Sequence, residues 1–131
     1  MSEQIPFWMD SVGRGWHPLL RRLHEQLIAV NPDYQVRQLK EKWGMLRIYL
    51  ATGLQRGDFI ETGRLPDEQE SQRMAREDDE ARRLVRAAEE ESGRICESCG
   101  EPGEARKERW IKTLCDDCHT ARQARCGRPG S

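Results

Sequence analysis

Four cysteines in two close pairs set the terms on which this chain can fold. Two residues separate Cys96 from Cys99, two separate Cys115 from Cys118, and fifteen lie between the pairs, giving C-x2-C-x15-C-x2-C. This spacing reads as a zinc site. Four thiolates close the coordination sphere of the metal, and a closed site builds a fold without offering a position to substrate. The motif therefore predicts one structural Zn2+ and argues against a zinc enzyme. A site of this kind supplies on the order of 10 kcal/mol of folding free energy, which a small polar segment needs. The competing reading is a disulfide framework. The opening residues Met1 to Pro6 lack the basic and apolar regions of a signal peptide, so a cytoplasmic location and reduced thiols are expected. Cys126 reads as a free thiol, and His119, next to Cys118, is an alternative fourth ligand.

The residues around the ligands outline a small finger. Gly100 follows the second cysteine and permits a positive φ that brings backbone N–H groups toward the sulfurs. Glu101-Pro102-Gly103 then turns the chain. Residues 105–114 suit a short β-hairpin with Trp110, Ile111 and Leu114 as apolar anchors. Asp116 and Asp117 suit the first turn of a helix, which Gly127 and Pro129 stop. Knuckle, hairpin and ligand-bearing helix together are the outline of a treble-clef finger.

The whole chain has 131 residues, 36% hydrophobic and 34% charged, so its core is modest. No apolar run approaches a membrane span, and no membrane partner is expected. The net charge is −1. Residues 1–66 hold nine basic and seven acidic side chains, residues 67–92 five and ten, and residues 93–131 eight and six. This is not the profile of a strongly basic nucleic-acid binder.

The fold class expected is α+β, in three parts: a small helix-plus-hairpin unit over 1–66, a charged connecting helix over 67–92 and the four-cysteine finger over 93–131. Trp16, Leu19, Leu20, Leu23, Leu27 and Val30 fall on one helical face that starts near Pro18 and ends at Asn31-Pro32. His17 and His24 read as boundary residues of that helix. Residues 34–40 and 46–50 alternate as two strands around a Glu41-Lys42-Trp43-Gly44 turn. A third short strand fits Gly57-Asp58-Phe59-Ile60, and the remainder of 53–66 reads as loop. In 67–92, Asp78–Arg82 and Asp79–Arg83 are expected i,i+4 pairs. Met74, Ala81, Leu84, Val85 and Ala88 make a thin apolar stripe there. The basic turn around Trp43, with Arg37, Lys40, Lys42 and Arg47, can stack a base or seat on a partner if the ring is exposed. The simpler reading, favoured from sequence, has Trp43 tucked into the core.

The stretch from Cys96-Glu97-Ser98-Cys99-Gly100 to Leu114-Cys115-Asp116-Asp117-Cys118-His119 resembles the finger of DksA/TraR-type regulators, which bind RNA polymerase. The charged helix before it adds to the likeness; residues 1–66 have no counterpart there. The whole chain resembles a group of small, uncharacterised bacterial and phage proteins that share a Gly-Trp-x-Pro-Leu-Leu start, here Gly15 to Leu20. They also share a Lys-Glu-Lys-aromatic-Gly-x-Leu-Arg hairpin, here Lys40 to Arg47, and a Cys-Glu-x-Cys-Gly finger.

Three function classes follow. Catalysis is not expected: the zinc-deaminase pattern H-x-E with P-C-x-x-C is absent, a His-Asn-His nuclease needs a second histidine beside His119, and no G-x-S-x-G, phosphate loop or H-E-x-x-H occurs. Protein binding is the leading reading. The resemblance implies a bacterial or phage regulator or inhibitor acting by contact on a host machine, RNA polymerase or a defence complex. The alternative is nucleic-acid binding through Arg106, Lys107, Arg109, Trp110 and Lys112 on the finger hairpin with Arg122, Arg125 and Arg128 after it, among which acids are interleaved. Trp43 and Lys42 are the candidate contacts outside the finger.

Overall fold

In the computed structural model, which describes residues 3–126, the apolar stripe of the N-terminal part becomes a 14-residue helix. A four-residue turn of helix, α1 (Ile5–Trp8), comes first, and the long helix is α2 (His17–Val30). Pro18 sits in its first turn, where a missing N–H costs nothing. Leu19, Leu20, Leu23 and Leu27 are buried, and Val30 lies half-buried at the end of the stripe. Trp16 precedes the helix in a 3₁₀ turn, fully buried.

The two expected strands form, the first starting two residues later than expected and the second one residue earlier. β1 (Val36–Lys42) and β2 (Met45–Leu50) pair antiparallel, and the ladder runs out to Lys42↔Met45. Only Trp43-Gly44 is left as the turn, with φ of +55° and +82°. A type I′ two-residue hairpin needs both central residues in this left-handed region, and its twist matches that of the strands. Leu39, Leu46 and Ile48 point inward and join Ile5, Trp16, Tyr34 and the α2 leucines in one core.

Tyr34 shows how that core handles its polar atoms. Its hydroxyl accepts from Ile5 N–H at 3.1 Å and meets His24 Nδ1. His17 is likewise occupied locally, with Nε2 2.8 Å from Met9 O. Burial pushes the Tyr34 hydroxyl up to about 12, against the opposing pull of the Ile5 bond. A raised acid pKa means that folding favours the neutral form. This contribution is complete below the ordinary value of 10.0 and is lost as pH climbs toward about 12. Unfolding midpoints followed by circular dichroism are expected to drop through that window, and Tyr34→Phe is expected to flatten the drop.

The charged segment is a single helix, α5 (Glu68–Ser92), preceded by two one-turn helices, α3 (Gly53–Arg56) and α4 (Phe59–Thr62). Asp67 and Glu70 cap α5 reciprocally: Asp67 Oδ1 accepts from Glu70 N–H at 2.7 Å and Glu70 Oε1 from Asp67 N–H at 3.1 Å. The helix packs on α2 and lies along the outer edge of β2. Leu46 N–H donates to Ser92 Oγ and Ile48 N–H to Glu89 Oε2, each at 2.9 Å. Side chains of α5 thus satisfy an edge that would otherwise be open. Ser92 is fully buried, so Ser92→Ala leaves Leu46 N–H without a partner and is expected to cost about 2 kcal/mol in urea denaturation.

Two local expectations are corrected. Residues 57–60 do not form a strand. Asp58 at the N-cap and Gly63 at φ +71° frame a helical turn instead, and the free edge of β2 is already taken by α5. The pairs Asp78–Arg82 and Asp79–Arg83 are also absent. Asp78 is turned inward, accepting from Gly53 N–H at 3.1 Å and facing Arg56 at 3.7 Å. Arg82 therefore meets Asp79 at 3.4 Å and Arg83 meets Glu80, both one turn back on an exposed face where such pairs contribute only a few tenths of a kcal/mol.

After α5 come a second antiparallel hairpin, β3 (Glu104–Lys107) and β4 (Ile111–Leu114), and a last helix, α6 (Asp116–Cys126). The architecture is α+β: helices, two antiparallel hairpins and a C-terminal cluster of four cysteines. Among the described residues no helix is long and apolar enough to cross a membrane.

Candidate metal centre

The first pair of cysteines sits in a tight loop between α5 and β3. Cys96 N–H donates to Glu101 O at 2.7 Å and Gly100 N–H to Cys96 O at 2.9 Å. Closing the loop this way puts Gly100 at φ +88°, the left-handed conformation that the sequence anticipated. The second pair comes from the β4–α6 junction. Cys115 follows the strand, and Cys118 lies in the first turn of α6 with its N–H 3.4 Å from Cys115 Sγ. Asp116 and Asp117 occupy that turn, as expected of acids at a helix N-terminus.

These elements bring the four sulfurs within 4.8 Å of one another, with Cys99 and Cys115 Sγ 3.6 Å apart. All four are free thiols, not disulfides. Cys96 is fully buried and Cys99 is the exposed member. Burial pushes the Cys96 thiol up, but the N–H groups of Cys115, Cys99 and Ser98 outweigh it and hold Cys96 down at about 6. Cys118 moves the other way, pushed up to about 12 by hydrogen bonding to Cys115, Cys99 and Cys96. The four cysteines can hold a metal ion. His119 is not among them: its Nε2 faces Glu108 at 3.1 Å.

The cluster is seated on the N-terminal segment by two glycines. Gly15 N–H donates to Glu97 O at 2.9 Å. A Cβ on Gly15 would lie 2.0 Å from Cys96 O and 2.7 Å from Gly100 N, and one on Gly13 would lie 2.2 Å from Glu97 O. The backbone of residues 13–15 thus touches the backbone of the knuckle. One residue on, Trp16 Nε1 donates to Ser92 O at 3.1 Å and Ile95 O at 3.0 Å, where the chain leaves α5 for the knuckle. Glu97, also buried, takes Lys112 Nζ at 2.8 Å, and Thr113 Oγ1 reaches Gly44 O at 2.6 Å. The role of Gly13 and Gly15 was not read from the sequence. The available signal was a Gly-x-Gly ahead of a tryptophan, a pattern with many other uses.

The candidate contact residues divide. Trp43 is 70% exposed at its turn, with Lys42 Nζ 5.2 Å above the ring, so its expected place in the core is corrected. The left-handed turn, with a buried Gly44 pressed against β4, aims the preceding side chain outward. Trp110 is likewise no anchor. It is 66% exposed because it lies in the hairpin loop, and Leu114 alone of the three expected anchors is buried. Lys107, Arg109 and Arg125 are exposed and Arg122 is half-buried. Arg106 and Lys112 are engaged internally: Arg106 donates to Leu114 O at 3.1 Å and to Asp116 at 2.7 Å, and Lys112 holds Glu97. The Cys126 side chain and residues 127–131, with Gly127, Arg128 and Pro129, lie outside the described residues. No protein-family description matches this chain, and neither a curated protein nor a solved structure is significantly similar to it.

Proposed function

We propose that this is a non-enzymatic binding protein whose four cysteines hold one structural Zn2+ in a treble-clef-like finger, and that it works in the cytoplasm by contact with another macromolecule. The closed four-thiolate cluster carries the reading. A tetrahedron of sulfurs about 2.3 Å from zinc has edges of about 3.8 Å, close to the 3.6 Å between Cys99 and Cys115 Sγ. All-sulfur donors favour zinc over harder cations. With every ligand supplied by the chain, the metal has no open position at which to activate water. The resemblance of the finger to DksA/TraR-type regulators supports a protein partner on a host machine such as RNA polymerase or a defence complex. The exposure of Trp43 and Trp110 beside free cations favours the second reading, a nucleic-acid partner.

Native mass spectrometry of the protein purified without added metal tests the first step. One zinc per chain is expected, with its loss on chelation restoring four titratable thiols. A metal-free protein with two disulfides would end this reading.

A further inference from the structure

The two hairpins meet, and the loop of each carries an exposed tryptophan. Thr113 Oγ1 bonds Gly44 O at 2.6 Å, so Trp43 sits one residue from a contact with β4, and Trp110 lies three residues before Thr113. An extended chain covers about 3.5 Å per residue, which keeps the two tryptophan backbones within roughly 20 Å. Trp43 holds φ +55° although it is bulky and 70% exposed. Bulky residues adopt this region only under constraint. The monomer gains little from its ring beyond the contact with Lys42.

Lys42 Nζ lies 5.2 Å from the Trp43 ring centre, and further cations adjoin both loops. The cross-strand pairs Lys40↔Arg47 and Lys42↔Met45 share the face of the first hairpin opposite Leu39, Leu46 and Ile48, with Lys40 Nζ 6.0 Å from the Tyr49 ring centre. Lys107 and Arg109 flank Trp110 on the second hairpin. Lys40, Lys42, Arg47, Lys107 and Arg109 form no ion pair among the described residues, whereas the acids nearby are already bound. Glu41 accepts from Gly44 N–H at 2.7 Å, Glu108 faces His119 at 3.1 Å, Glu97 holds Lys112 at 2.8 Å, and Glu104 and Asp116 share Arg106.

We propose that these two exposed tryptophans and the cations beside them bind single-stranded nucleic acid, with the indole rings stacking on bases and the free lysines and arginines meeting phosphates. Here each ring projects from a turn among cations, and neither lines the cleft beside Tyr34 or the apolar one between β2 and α5. Stacking platforms beside mobile cations are how single strands are held without sequence preference. The assignment deepens the binding-protein reading and depends on the metal-supported finger to present Trp110.

The test is fluorescence anisotropy of labelled oligothymidylate and oligouridylate of about ten nucleotides, at low and at physiological salt, on the full chain. Zinc content is measured in the same samples. Binding is expected, weakening with a log–log salt slope of about −0.7 per phosphate contacted. A duplex is expected to bind about tenfold more weakly, because its bases are already stacked. Trp43→Asn suits the left-handed turn, so it is expected to raise the unfolding midpoint by roughly 3 °C and to weaken binding about tenfold. Trp43→Tyr is expected to retain most of the binding. A zinc-loaded protein that ignores both oligonucleotides, or a Trp43→Asn variant that binds as well as wild type, overturns the assignment and leaves a protein partner for these tryptophans. A protein without zinc would instead defeat the reading beneath it.

Discussion

Cys96→Ser is expected to strip the metal and unfold the chain well beyond the finger. A structural zinc of this kind is worth on the order of 10 kcal/mol, comparable with the whole stability of a small domain. Cys96 is the fully buried member of the four-cysteine cluster. Its carbonyl also lies directly beneath Gly15, and Trp16 reaches across to Ser92 O and Ile95 O. Loss of the knuckle therefore removes the floor on which the start of α2 and the end of α5 are fixed. Chelation should reproduce the effect in the wild-type protein. Hydrogen exchange resolves the claim: amides of α2 and the C-terminal half of α5 should lose protection together with those of β3 and β4. Protection that persists in α2 and α5 would show that the body stands without its metal.

Gly15→Ala is expected to be the most damaging substitution outside the cysteines. The added methyl would lie 2.0 Å from Cys96 O and 2.7 Å from Gly100 N, and both are backbone atoms of the loop that carries the ligands. No flexible side chain can yield there, so either the knuckle or the 3₁₀ turn has to move. We expect a loss of about 3–5 kcal/mol, at the upper end for one point change, with weaker metal retention in competition with a chelator. Gly63→Ala supplies the contrast. That glycine has open space around it and only a φ of +71° to strain, so a cost of about 1 kcal/mol is expected. Similar denaturation midpoints for the two variants would refute the steric argument.

Much of this was legible in the sequence, for identifiable reasons. The pairs Cys96/Cys99 and Cys115/Cys118 announce a four-cysteine cluster able to hold a metal because each pair's geometry is local. Each pair needs only one turn of chain, and Gly100 with Asp116 and Asp117 marks how those turns are made. The α2 stripe was readable because helix periodicity acts within a few residues. The errors share one cause. Asp78 was assigned to Arg82, and residues 57–60 to a strand, from neighbours in sequence. Asp78 in fact serves Gly53 and Arg56, and α5 occupies the edge that a strand would need. The hydrophobicity of Trp43 placed it inward, and a two-residue turn with both φ angles positive placed it outward.

The sequence by itself determined the four-cysteine cluster, the α+β character and the main helices and strands, because each follows from spacing, periodicity or a cap spanning a few residues. Only the tertiary structure decided that Gly13 and Gly15 seat the cluster and that α5 closes the edge of β2. It also decided that Arg106 and Lys112 are spent inside the finger while Trp43 and Trp110 stand free. The seating of the cluster and the closing of the β2 edge depend on groups far apart in the chain meeting in space, as in the Trp16–Ile95 bond with a separation of 79. Composition and local pattern carry no record of such approaches, because they arise when the elements bury their apolar faces together.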